Sequence, residues 1–289
     1  MNAKLNRISV LYIPRVNPNA NLLLRRSIAL SLMLTLIFTP VEFLITPSAV
    51  NLEPLRCEGT LKKALFFCIV PVEFLTLGKW VAVVLCGLVI VGKYLFLSSL
   101  ILFWISSTMF HMIPTSDGGE QIALCLSTLL LIYSLGGLAE TFKKRIGFKS
   151  RGAEAWHYVW HLMIKIQMAV VYFQAGIAKL GVESWADGSE IYYDLLNPMF
   201  GATGWRLKLA MLIVDYDFIL LAITWGTISA EVFISYAIFG GDSAKKVALT
   251  LAVLLHSSIA IFLGIVSFSI VMIGGAIYAL LPARFAYGR

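Results

Sequence analysis

Residues 94–112, YLFLSSLILFWISSTMFHM, and residues 121–139, QIALCLSTLLLIYSLGGLA, decide the fold. Neither holds an Asp, Glu, Lys or Arg, and each approaches the ~20 apolar residues that a helix needs to cross a ~30 Å hydrocarbon core. In lipid the backbone N–H and C=O groups find no water, so runs of this kind pair them internally as helices. Between the two runs lies Thr115-Ser-Asp-Gly-Gly-Glu-Gln121, whose Asp117 and paired glycines read as a tight turn. The two runs therefore form a transmembrane hairpin.

Outward from this hairpin the same pattern continues. Apolar runs set against charges give eight candidate spans, at 27–46, 77–92, 94–112, 121–139, 156–180, 217–239, 247–263 and 265–283. The second is short before Lys93, so it tilts, snorkels that lysine or starts earlier, within Ala64 to Leu75. The whole chain of 289 residues is 59% hydrophobic and 13% charged, against about 45–50% and about 25% in a soluble domain. A water-soluble globule is excluded. The expectation is one all-α polytopic helix bundle filling 1–289, its first part a basic segment over 1–26. That segment is long, and the run after it exceeds the ~7–15 residues of a signal peptide core, so an uncleaved first span is expected.

The 23 Lys and Arg outnumber the 16 Asp and Glu, a formal +7, but they lie in short clusters between apolar runs. This spacing reads as topology and argues against nucleic acid as a partner. With eight spans, the N-terminus, Lys93, the group Lys143-Lys144-Arg145 with Lys149 and Arg151, the pair Lys245-Lys246, and Arg284 with Arg289 share one side, expected to be cytoplasmic. The opposite, oxidising face receives 47–76 with Cys57 and Cys68, the Asp117 turn, and 181–216. A disulfide between Cys57 and Cys68 is expected there, whereas Cys86 and Cys125 read as buried thiols.

Ionisable residues inside a bilayer are costly, so each is a candidate for function. The fifth span is richest: His161 and Lys179 are five turns apart and share a face with Lys165, Tyr172 and Gly176 close by. Lys179 either snorkels to water or, because Gly176 admits a neighbouring helix, points into the bundle, where it would act as a base. His157 and His161 have metal-ligand spacing but no third ligand, so they read as interfacial histidines beside Trp156 and Trp160, with no metal. His256 lies at mid-depth in the seventh span beside Ser257 and Ser258. Glu42 and Glu231 are further membrane-depth acids, and Glu231 either pairs with His256 or anchors packing. Lys179, Asp117 with Gly118, Gly119, Glu120 and Gln121, and His256 from below then suggest a small exofacial pocket.

The segment Tyr172-Phe-Gln-Ala-Gly-Ile-Ala-Lys-Leu180, followed by Trp185-Ala-Asp-Gly188, resembles the signature of the HTTM domain, the membrane domain of vitamin K-dependent gamma-carboxylases and of SdpB-like bacterial proteins. On that resemblance Lys179 falls on the carboxylases' catalytic base, which acts on a reduced quinone such as vitamin K or menaquinol. His256, Gly264 and Ser267-Phe-Ser269 resemble the domain's late histidine helix, and Asp117-Gly-Gly-Glu-Gln121 with the Cys57 and Cys68 pair resembles the SdpB-like branch. The carboxylases' asparagine-asparagine-histidine-serine-tyrosine stretch is replaced here by the acidic turn, and their large lumenal domain has no counterpart. Glutamate carboxylation is not implied.

Three functions follow from these readings. The first is an SdpB-like factor of the bacterial cytoplasmic membrane that helps mature a secreted antimicrobial peptide precursor, together with a soluble partner of the same system. The second is a quinol-dependent membrane enzyme with Lys179 as base and His256 or Asp117 orienting the quinol. The third is a transporter or assembly subunit, disfavoured by the lack of paired broken helices in repeated halves.

Overall fold

A computed structural model describes residues 18–44, 57, 62–113, 118–145 and 152–281. The described residues form helices and contain no strand. In chain order the helices are α1 (Pro18–Phe38), α2 (Val41–Leu44), α3 (Phe66–Ile69), α4 (Leu75–Val91), α5 (Leu95–Met112), α6 (Gly119–Arg145), α7 (Gly152–Lys179), α8 (Glu183–Ala186), α9 (Glu190–Leu195), α10 (Trp205–Val214), α11 (Asp217–Ala237), α12 (Asp242–Ser258) and α13 (Val266–Leu280). Seven stretches among the described residues are long and apolar enough to cross a membrane: Asn19–Phe38, Val72–Val91, Leu95–Met112, Gly119–Ala139, Ala155–Lys179, Asp217–Ala237 and Asp242–Leu263. The eighth apolar helix, Val266–Leu280, is shorter. The protein is an all-α polytopic membrane bundle.

Several boundaries differ from the sequence reading, among them the start of the seventh span, at Asp242 rather than at 247. The first span starts at Asn19 rather than at 27, so Arg25 and Arg26 lie inside it and the basic segment is shorter than 1–26. Pro18 supplies a first helical residue with no N–H to lose, and Pro40 stops the helix. Glu42 therefore lies beyond the first span, exposed on α2. Of the three ways to lengthen the second span, an earlier start is realised, through a 3-10 turn at Val72–Phe74.

The short α13 sits at the centre, packed on α1, α6, α7 and α12. Close approach needs its glycines: a Cβ on Gly274 would lie 2.3 Å from Ser27 Cβ, and one on Gly275 would lie 2.6 Å from Met168 Sδ. Gly264, at φ +75, makes the left-handed break that turns α12 into α13 through a π-turn at Ile259–Leu263. Around this centre, α5 packs on α6, α1 on α4, and α7 on α11. Outward side chains such as Leu77, Val84, Leu88 and Val91 are exposed on α4, as lipid contact requires.

Because successive spans alternate in direction, Arg25, Lys93 and Lys245 gather at one end of the bundle, the basic end. The loop of Cys57 and Cys68 and the turn at Gly118 lie at the other. Lys79, buried one turn into α4, donates to Thr39 O at 2.8 Å and Ile37 O at 3.5 Å, so its charge caps the open carbonyls at the end of α1.

Cys86 is a buried free thiol, whereas Cys125, also read as buried, is only half-buried; Cys57 and Cys68 form the expected disulfide. Its loop is tied to α5 by Phe66 N–H donating to Thr108 Oγ1 at 2.9 Å and by Trp104 Nε1–H donating to Ala64 O at 2.8 Å. Closing an 11-residue separation restricts the unfolded chain, so Cys57→Ser should lower stability by about 2–3 kcal/mol. Thermal melts in detergent without reductant check this, and an unchanged melt would contradict it.

Candidate functional site

The site begins with a missing side chain. A Cβ on Gly176 would lie 2.8 Å from Val232 Cγ2 and 3.3 Å from Ile228 O, so only glycine lets α7 lie this close to α11. Below it, Ser235 Oγ donates to Ala169 O at 2.9 Å, holding the register. In that register Lys179 Nζ meets Glu231, at 2.7 Å from Oε2 and 3.0 Å from Oε1, and also donates to Ala175 O at 3.1 Å. All three ammonium protons have acceptors. Trp185 adds its ring face, 4.9 Å from Nζ. Of the two readings of Lys179 the structure takes the bundle-facing one, and Glu231 pairs with Lys179, not with His256.

The pair is deep. Glu231 lies about 21 Å along α11 from Asp217, leaving about 9 Å to Ala237. Lys179 itself ends the membrane-length stretch Ala155–Lys179. The depth along α11 comes from the segment after Lys179, which folds back beside the first half of α11: Thr224 Oγ1 donates to Gly188 O at 2.9 Å, and Gly188, at φ +88, packs on Leu221. Leu195, Ala202, Ala210 and Val214 build a small second core there, with Leu220 and Phe262 against it.

A second polar pair lies across the interior. The Tyr172 hydroxyl and His256 Nε2 are 2.9 Å apart, with the two residues 1% and 2% exposed. His256 Nδ1 is buried and has no hydrogen-bond partner. Phe268 stacks edge-on against His256, and the left-handed Gly118 faces Phe268, so the Gly-Gly turn reaches His256 through one aromatic ring. The two pairs lie within electrostatic reach of each other. The fifth-span stripe thus meets three helices: His161 bonds Tyr278 at 2.8 Å on α13, Tyr172 meets α12, and Lys179 meets α11.

Two proteins of Bacillus subtilis (strain 168) align along nearly the whole chain. The uncharacterized protein YitO is 30% identical over 278 residues, covering 92% of this chain and 87% of its own. The sporulation-delaying protein SdpB is 30% identical over 282 residues, covering 94% of this chain and 85% of its own. The chain belongs to the SdpB family. No family model matches it, and no solved structure does.

In this member of the SdpB family, the remaining residues singled out from sequence divide. Trp185, Tyr172 and Gly176 stand in the site, and Gly118 adjoins it. Glu120 is buried in the first turn of α6 and Gln121 is exposed, so the turn is not uniformly solvent-facing. Asp117 lies outside the described residues, as do Lys149, Arg151, Arg284 and Arg289. His157 packs against Tyr133, ring centroids 4.6 Å apart and tilted, while His161 turns to Tyr278, so the two do not converge on a metal. Among the described residues no group of three His, Cys, Asp or Glu is placed to hold one.

Sequence reasoning missed the acids of the fold-back segment. Ser184 Oγ donates to Glu190 Oε2, and Asp194 sits close to both Glu190 and Lys179. Burial first, then the Glu190 charge, pushes the Asp194 carboxyl up to about 6 from 3.8, against the pull of Lys179. A carboxyl raised on folding stabilises the fold fully below its unfolded value, and this contribution is lost as pH rises through the folded one. Asp194 should therefore weaken the fold-back segment between pH about 4 and about 6. Asp194→Asn should make that segment more resistant to proteolysis at pH 7.5, with little difference at pH 4. Equal resistance at pH 7.5 would contradict the burial argument.

Proposed function

We propose that this chain is an integral membrane factor of a sporulation-delaying type of toxin system, needed to produce a mature secreted antimicrobial peptide from its precursor. The observation that carries this reading is the relation to the sporulation-delaying protein SdpB along 94% of the chain. The Lys179–Glu231 pair, with Trp185 over the ammonium and Tyr172–His256 beside it, is its working centre, because an ion pair at this depth is costly to keep for packing alone. The protein resides in the bacterial cytoplasmic membrane with its basic end in the cytoplasm. The precursor is engaged from the opposite, disulfide-bearing side, together with a soluble partner of the same system.

The test is made in a producing strain. Deleting the gene should leave the precursor made but abolish the mature peptide in the culture supernatant, measured by mass spectrometry, and restoring the gene should recover it. Unchanged release from the deletion strain would overturn the reading.

One observation favours a second reading, the quinol-dependent enzyme suggested by the carboxylase-like motif. The buried, unpartnered Nδ1 of His256 is an atom that a quinol or quinone oxygen would satisfy. Such a group would supply redox chemistry when bound. Lys179 fits the base role less simply, since its protons are engaged and it must first pass one to Glu231. Under this reading, purified wild-type protein retains a quinone that His256→Ala loses.

A further inference from the structure

One side of α7 carries His161, Tyr172 and Lys179 into the bundle, where each meets another helix. The opposite side faces out. At about 100° per residue, Met163, Gln167, Val170, Gln174 and Ile177 recur at steps of four and three and fall on that outer side. Val170 and Ile177 are 42% and 43% exposed, as lipid contact allows. The two glutamines do not suit lipid. Gln174 is exposed and Gln167 half-buried, and no described residue hydrogen-bonds either amide. Gln167 lies twelve residues from each end of the stretch Ala155–Lys179, about 18 Å and so at mid-depth. Gln174 lies about 8 Å from the Lys179 end. Hydrocarbon offers an amide no water, so both side chains call for a partner beyond this bundle.

The spacing says which partner. Residues seven apart stay on one seam when a second helix winds alongside at about 3.5 residues per turn, and Met163, Val170 and Ile177 supply the packing layers between them. Copies of one chain share one orientation in a membrane, so a two-fold axis along the bilayer normal sets α7 parallel to its own counterpart. Each glutamine then meets its equivalent, at both heights together. A carboxamide donates and accepts, so one glutamine is a complete partner for another. An unrelated helix would need polar groups at the same two heights, whereas a second copy has them by symmetry.

We propose that this chain pairs with a second copy of itself through the outer face of α7, with Gln167 and Gln174 each bonded to its equivalent across the seam. Amide bonds between helices and close packing are the forces that join helices in lipid. The Lys179–Glu231 centres lie on the far sides of the paired helices. The pairing therefore stands or falls independently of the proposed function.

The test uses the full chain in membrane vesicles, with one cysteine added at a time. Val170→Cys, between the glutamines, should give a disulfide-linked pair under a mild oxidant, while Val84→Cys, 62% exposed on α4, should not. Energy transfer between two labelled populations, read as lipid is added, measures the strength of pairing. Gln167→Leu and Gln174→Leu should each weaken it about 3–5-fold, and together about 10–25-fold. Gln174→Asn keeps an amide at that height and should retain more of the pairing than Gln174→Leu. Equal cross-linking at Val170 and Val84, or none at Val170, would overturn the proposal. So would a Val170→Cys chain that cross-links to a different membrane protein in place of its own copy. Undiminished pairing in the double leucine variant would overturn the role of the amides. Wild-type energy transfer decides self-pairing even where a variant does not fold.

Discussion

Lys179→Met should abolish the mature secreted peptide and lower the stability of the bundle by about 3–5 kcal/mol, because it leaves the Glu231 carboxylate buried without its cation. Glu231→Gln should do the same from the other side. The loss comes less from the attraction removed than from the charge left behind, since in a medium of low dielectric an isolated ion is far costlier than a matched pair. The double variant Lys179→Met with Glu231→Met separates scaffold from function. With both charges gone and the volume kept, stability should return close to wild type. Peptide production should not return if the ammonium and carboxylate act on the precursor. Melting in detergent and peptide in the supernatant are the two readouts, and recovery of both would reduce the pair to a packing device.

Gly176→Leu should be comparably severe. Val232 is β-branched and nearly fixed in rotamer on a helix, so it has no cheap way to yield, and Ile228 O belongs to the backbone. Alanine should cost about 1–3 kcal/mol, the range for overpacking a well-filled interior. Leucine must push α11 away and should exceed that range. The displacement would also part Lys179 from Glu231, which is the neighbour of Val232 and lies about one turn from Ile228. Peptide production should fall in the order glycine, alanine, leucine, in parallel with the melting temperature. A Gly176→Leu variant that melts and produces like wild type would show that the close approach of α7 and α11 matters to neither.

The residues of the site were legible one by one, and their partners were not. Lys179 and His256 stand out because each interrupts an apolar run, and Gly176 stands out because it shares a face with Lys179. Yet Lys179 meets a residue 52 positions away, and Tyr172 meets one 84 positions away. Spacing along one helix says which side chains share a face, but nothing in it says which neighbouring helix that face meets. For this reason the sequence leaves Glu231 between a pairing with His256 and a packing role. The depth of Arg25 is hidden for a different reason: counted among the basic residues before the first run, it reads as a topology signal, and only the helix starting at Pro18 carries it inside.

Composition and the length of the apolar runs determined by themselves that this chain is an all-α membrane bundle, because lipid leaves the backbone no other way to satisfy its hydrogen bonds. Alternation of spans, with cysteines on one side of it and basic clusters on the other, determined the two ends and the Cys57–Cys68 bond. Tertiary structure alone decided the depth and the pairing. The fold-back of the segment after Lys179 set that lysine well inside the membrane-length span of α11, and a glycine-sized gap brought Glu231 to it. Both are matters of how helices distant in sequence pack, and helices in lipid are held together by close contact and buried polar pairs, not by the hydrophobicity that the sequence displays.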